Sequence, residues 1–248
     1  MIALSSPELA LLGFIAFAAG AVRGFAGFAL SALVMASAIV ILPPAELIPI
    51  CWVLEGVASI LMVRGGWAEA DRRVAFGLTG GSAAGVPLGL WLTTRLPVEE
   101  TRILALAVLI GLAALQLARI RLRFLATGPG LIGSGILAGI ATGIASIGGM
   151  VVALYVLALD APVRTMRASL VLFLVLSSFF SLGWLLAYGL MDARAIARGV
   201  ALSIPVAAGV LLGKALFRPA LERYYRPFAL CLLLGLAGLS LWRTLMFG

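Results

Sequence analysis

Residues 9–42 read LALLGFIAFAAGAVRGFAGFALSALVMASAIVIL, and residues 130–159 read GLIGSGILAGIATGIASIGGMVVALYVLAL. Both runs are apolar, and both exceed the roughly 20 residues that carry one helix across a bilayer. Both are also interrupted. The first holds Gly20, Arg23, Gly24 and Gly27; the second holds Gly135, Gly139, Gly143, Gly148 and Gly149. Each opens one half of the chain. The reading is an internal repeat in which a broken leading helix or hairpin is followed by three helices.

Working outward, further apolar runs cover 45–63, 74–94, 103–118, 166–187, 195–217 and 226–247. Most have crossing length; 103–118 is short and needs flanking residues or a thinner bilayer. Short Arg-bearing loops separate them. Strands in lipid leave backbone groups unpaired unless they close into a barrel, and these runs are long and do not alternate, so they read as helices. Composition agrees. Of 248 residues 63% are hydrophobic and 11% charged, and the mean hydropathy is +1.19. A soluble domain carries about 25% charged residues. The chain therefore reads as an all-α polytopic membrane protein. Met1 to Gly20 carries Glu8 and no basic residue, which is not a secretory signal, so the first apolar run is expected to be retained.

The repeat can be tested by alignment. Gly85-Val86-Pro87-Leu88-Gly89 falls on Gly209-Val210-Leu211-Leu212-Gly213 at a shift of 124. The same shift pairs Arg102 with Arg226, Gly111 with Gly235 and Leu115 with Leu239. Near the starts the shift is 119, pairing Gly20 with Gly139 and Gly24 with Gly143. The expected halves are 1–124 and 125–248, linked by the basic stretch 119–130. Glycines at every fourth place, Gly77 to Gly89 and Gly135 to Gly143, mark helix faces that admit close backbone approach, which is tight packing before it is a ligand site.

The net charge of +8 sits in short loops, where it reads as topology and contact with lipid headgroups rather than nucleic acid. If each long run crosses once, basic residues divide evenly between the two sides. If each crosses as a pair of short segments of about 15 residues, most of them gather on one side, which is then cytoplasmic. That scheme gives each half an odd number of crossings and makes the repeats inverted.

Inverted repeats with interrupted leading helices are built as carriers, because broken ends expose helix termini that hold ions. The candidate segments are 20–27 and 139–149. Arg23, between apolar stretches, is either an anion contact with bidentate geometry or a loop charge reaching the headgroups. Glu55 is the one acid deep inside a run; it reads as an Arg partner or a coupling acid. Thr142 and Ser146 are hydroxyls that bond either a substrate or their own helix. Arg167 opens a later helix beside Ser169 and reads as a topology charge or a coupling or gating residue. Cys51 and Cys231 lie in apolar runs as buried thiols. With no histidine, no CxxC, and no protease, P-loop or hydrolase motif, neither a metal nor another cofactor is implied, nor is an enzyme.

The glycine-rich segments 20–27 and 139–149, with Pro43-Pro44-Ala45-Glu46 and Ala161-Pro162-Val163-Arg164 after them, resemble the TauE/SafE group of sulfite exporters, the TSUP permeases. The resemblance covers nearly the whole chain and implies a duplicated set of about eight helices. It also implies movement of sulfite, organosulfonates or related small sulfur- or carbon-containing anions. Gly24, Gly27, Gly143, Gly148 and Gly149 carry over as site-segment residues. Phe28, Ala29 and Glu55 depart from the pattern. The expectation is a secondary transporter of a small anion in a bacterial-type inner membrane, driven by a gradient, with proton or sodium coupling and a homodimer both left open. An anion channel and a non-transport membrane assembly factor are the alternatives.

Overall fold

A computed structural model describes residues 5–62, 70–118, 127–158, 163–217 and 222–247; the side chains of 157, 158, 163, 164, 166, 167, 170, 171, 222, 223 and 247 lie outside this description. Among the described residues there are ten helices and no strand. They are α1 (Ser6–Ala26), α2 (Leu30–Ala38), α3 (Pro44–Met62), α4 (Arg72–Arg95) and α5 (Val98–Leu117). After the linker come α6 (Gly128–Ala145), α7 (Gly148–Ala158), α8 (Val163–Ala187), α9 (Ala193–Leu216) and α10 (Glu222–Phe247). Six are long and apolar enough to cross a membrane: α1, α3, α4, α6, α9 and most of α10.

Helix starts are marked by local chemistry. Glu8 Oε2 accepts from the backbone N–H (2.8 Å) and hydroxyl (2.7 Å) of Ser5, which ties down the opening of α1. The carboxylate of Asp71 accepts from the Val74 N–H (3.1 Å) at the start of α4, and that of Asp192 from the Ala195 N–H (2.7 Å) at the start of α9. Thr127 does the same for α6. Each cap satisfies an N–H that the helix itself leaves orphaned.

The glycine stripes set the packing. α4 lies along α6, with Gly81 on Gly135 and Gly89 on Gly143; a Cβ on Gly81 would fall 2.6 Å from the Ile132 carbonyl oxygen and 2.9 Å from the Gly135 Cα. α1 lies along α9 in the same way, with Gly20 on Val206 and Gly24 on Gly213. Only residues without a Cβ permit such backbone contact, and in lipid it is dispersion rather than the hydrophobic effect that rewards it.

These contacts also fix directions. In both glycine pairs the residue numbers rise together, so α4 runs parallel to α6, and α1 to α9. Glu46 meets Arg198 near the starts of α3 and α9, and the Lys214 ammonium donates to the Leu61 carbonyl near their ends; these two are parallel. Asp71 meets Ser169, the Trp184 indole N–H donates to the Ala83 carbonyl (3.0 Å), and the Tyr188 hydroxyl donates to the Pro87 carbonyl (3.1 Å), so α4 and α8 are parallel. Ile48 and Trp52, early in α3, share a pocket with Val86 and Leu90, late in α4. The bundle α1, α3, α9 is therefore antiparallel to the bundle α4, α6, α8. Since α1 and α3 run the same way, α2 and the turn after it bring the chain back between them. That return arm lies in the protein interior: Leu30 to Ala36, Ala38 and Ile39 are all buried.

Several expectations are corrected. The breaks are not at Gly20, Gly24, Gly135, Gly139 or Gly143; helix runs through all five because they are packing glycines. The interruptions fall at residues 27–29 and 146–147. The arms are unequal, 21 and 9 residues in the first run and 18 and 11 in the second, rather than about 15 each. At 1.5 Å per residue α2 is about 14 Å long and cannot span hydrocarbon. The short run 103–118 is extended by its flanks to 20 residues. Five basic residues of the loops between the runs, Arg64, Arg119, Arg121, Arg123 and Arg218, lie outside the described residues.

Replacing Gly81 by isoleucine drives a side chain into the α6 backbone and is expected to destabilise the fold by about 3 kcal/mol. Gly80, one residue away with open space around it, should accept alanine with a gain of up to about 1 kcal/mol. Melting of the two variants in detergent checks the contrast.

Candidate functional site

The first break begins where Gly27 ends α1 in the left-handed region (φ 81°), its N–H bonded to the Arg23 carbonyl at 2.9 Å. Glycine adopts that conformation without steric cost. Ala29, which starts α2, also has positive φ (74°), a conformation that costs a residue with a Cβ roughly 1–2 kcal/mol. Two helix termini thus face each other inside the protein: the carbonyl end of α1 and the N–H end of α2.

Two opposite charges sit on these two ends. Arg23, 6% exposed, donates through Nη1 to the Gly27 carbonyl at 2.7 Å, placing a cation on the negative end of α1. Glu55 reaches in from the middle of α3. Its Oε1 accepts from the Ser31 N–H (3.2 Å) and from the Ser31 hydroxyl (3.0 Å), placing an anion on the positive end of α2. Arg23 Nη2 and Glu55 Oε2 are 3.4 Å apart. Each charge thus meets both a helix dipole and its counter-ion, the arrangement that makes a buried ion pair tolerable. Arg23 Nε and Glu55 Oε2 have no hydrogen-bond partner among the described residues.

The second break is built differently. Ser146 closes α6 with φ 57°, and its N–H bonds the Thr142 carbonyl at 2.8 Å. Thr142 Oγ1 donates to the Ala138 carbonyl of its own helix at 2.8 Å. The start of α7 lies so close to α6 that a Cβ on Gly148 would fall on that hydroxyl and on the Ala138 carbonyl. Gly149 has only ordinary contact distance, 3.6 Å, to Leu174. The buried Gln116 amide donates to the Met150 carbonyl at 3.2 Å and accepts from Arg226 at 3.1 Å, tying α7 to α5 and α10. Beside the break, Thr142, Gly143, Ser146 and Ser181 line a pocket with Ile48, Trp52, Val86, Leu90 and Leu185. Its free volume is about 10 Å³, room for one water at most.

The residues singled out from sequence therefore form two groups. Arg23, Gly27 and Glu55 meet at the first break; Thr142, Gly143, Ser146 and Gly148 meet at the second. No described contact joins the groups. Gly24 and Gly143 face helix backbones, of α9 and α4 respectively. The Arg167 side chain lies outside the description. Sequence reading missed Ser31 and Ser181, and it missed the Glu46–Arg198 pair between α3 and α9. Ser31 had one signal, its place directly after a glycine-marked break; Ser181 had none, since a helical serine looks the same whether it faces a pocket or its own backbone.

A family model described as Sulfite exporter TauE/SafE matches residues 12–241. Comparison with curated proteins gives no match, and neither does comparison with solved structures.

Replacing Arg23 with leucine leaves the Glu55 carboxylate without its counter-ion and should cost about 2–4 kcal/mol. Replacing both Arg23 and Glu55 with leucine should recover part of that loss. A double-mutant cycle on melting in detergent measures the coupling; additive effects would mean the pair contributes nothing.

Proposed function

The chain belongs to the sulfite exporter TauE/SafE family, and from that premise we propose that it is a secondary transporter of a small sulfur-containing oxyanion, sulfite or an organosulfonate, working by alternating access. It is a multi-pass membrane protein, and its family is one of transporters rather than enzymes. The proposal adds a bacterial-type inner membrane, with the Arg-rich helix ends cytoplasmic, and a proton or sodium gradient as the driving force.

Two inverted repeats, 1–124 and 125–248, underlie this reading. What supports them is the recurrence of one arrangement at both ends of the chain. α1 lies on α9 as α6 lies on α4, and α1 runs opposite to α6. Asp71 opens α4 as Asp192 opens α9. A positive-φ residue ends α1 at Gly27 and α6 at Ser146, and these two positions are related by the same shift of 119 as Gly20 and Gly139. The single observation that carries the transport reading is this pair of matched breaks within oppositely directed bundles. Each break turns a helix N-terminus toward the interior, and such ends favour anions.

The anion would meet Thr142, Ser146, Gly148 and Gly149 at the second break and Arg23 and Gly27 at the first, with Gly24 and Gly143 holding the two segments to their neighbours. Glu55 and Arg167 would couple or gate. Sulfite, with a sulfur and three oxygens, is several times larger than the pocket at Thr142. Admission then requires α3 and the α4–α6–α8 bundle to move apart, which is what alternation between two faces demands.

Counter-flow of labelled sulfite and small sulfonates in proteoliposomes tests the reading. Saturable exchange is expected. Ser181→Ala should lower kcat/KM about tenfold through a lost bond to a charged ligand. Folded protein that exchanges no anion ends the proposal, and flux that never saturates turns it into a channel.

A further inference from the structure

We infer that the Glu55 carboxylate is a tethered ligand, occupying in this conformation a seat at the first break that fits the transported oxyanion, and leaving it when the anion binds. The identity of the anion rests on the transport reading above; the seat itself does not.

The seat consists of the Arg23 guanidinium, the Ser31 N–H and hydroxyl, and the opening of α2. Each bond that Glu55 makes there is one that an oxyanion oxygen would accept: two from Ser31 at 3.2 and 3.0 Å, and an ionic contact with Arg23 at 3.4 Å. The fit to the carboxylate is incomplete. Arg23 is 6% exposed, yet among the described residues its Nε is unpartnered, as is Glu55 Oε2. A guanidinium in a buried site holds a planar or pyramidal oxyanion through two parallel donors; Glu55, arriving from α3, engages neither Nε nor a bidentate geometry.

Glu55 also differs from the groups around it in freedom. Its side chain is 25% exposed where that of Arg23 is 7%, and it belongs to neither arm of the break. Withdrawing it disturbs no helix hydrogen bond. Nor does a break of this kind need a carboxylate. The shift of 119 that pairs Gly20 with Gly139 brings Glu55 onto Leu174, and Leu174 lies beside Gly149 at the opening of α7. The second opening is faced by a hydrocarbon side chain and the first by an anion. The carboxylate is thus a particular feature of the first half, placed where a negative ligand belongs.

The test uses the full chain purified in detergent, with inorganic sulfite and formate as probes and melting temperature and sulfite affinity as readouts. In the native chain the seat is filled, and formate should leave the melting point unchanged. Glu55→Ala empties it: the variant should melt lower, regain stability with millimolar formate, and bind sulfite about tenfold more tightly than the native chain, with formate competing. Adding Arg23→Ala to that variant should abolish both responses. If Glu55→Ala does not yield folded protein, Glu55→Gln keeps the side-chain shape without its charge and should likewise bind sulfite more tightly. The inference is overturned if folded Glu55→Ala responds to neither anion more than the native chain does, or if Glu55→Gln binds sulfite no better. Counter-flow separates the two readings: a native chain that moves no anion while Glu55→Ala still gains formate and sulfite binding removes the transporter and leaves the seat.

Discussion

A helix interrupted inside a bilayer exposes carbonyls and N–H groups that lipid cannot satisfy. This chain interrupts two, and the remainder of the structure is arranged around that constraint. The first break is stabilised by charge: Arg23 faces the carbonyl end of α1, and Glu55 faces the N–H end of α2. The second is stabilised by compactness and amides, with Gly148 pressed onto α6 and Gln116 bonded to the Met150 carbonyl. The return arms α2 and α7 are short enough to remain inside the protein, where neighbouring helices rather than lipid surround them.

Buried arms require tightly packed surroundings. The glycine stripes supply them by letting α1 touch α9, and α6 touch α4, backbone to backbone. One contact joins the first helix of the chain to the ninth, and the other joins the fourth to the sixth. Early and late helices of the chain are thereby interlocked, and the bundle α1, α3, α9 meets the bundle α4, α6, α8 at the pocket beside Thr142.

The two breaks also divide the electrostatics unevenly. One opening carries an internal anion and its counter-ion; the other carries hydroxyls and a leucine. The first break therefore holds a buried ion pair, and the second does not.

Sequence alone determined that the chain crosses the membrane as helices, because apolar length and hydropathy are additive along a chain and need no partner. It also marked the two long runs, the glycine stripes, and Glu55 as the partner of some Arg in one of two readings, without saying which. It bracketed the breaks too widely: glycine serves both to interrupt a helix and to pack one, and residues 20, 24, 135, 139 and 143 give the same local signal for either use. Only tertiary structure decided between them, by bringing a second backbone against those five and leaving Gly27 and Ser146 to turn the chain. It likewise decided that no described contact joins Arg23 at one break to Thr142 at the other, since the depth of a residue in a folded bundle depends on where its helix turns and on which helix lies beside it. Neither is written in the neighbouring residues.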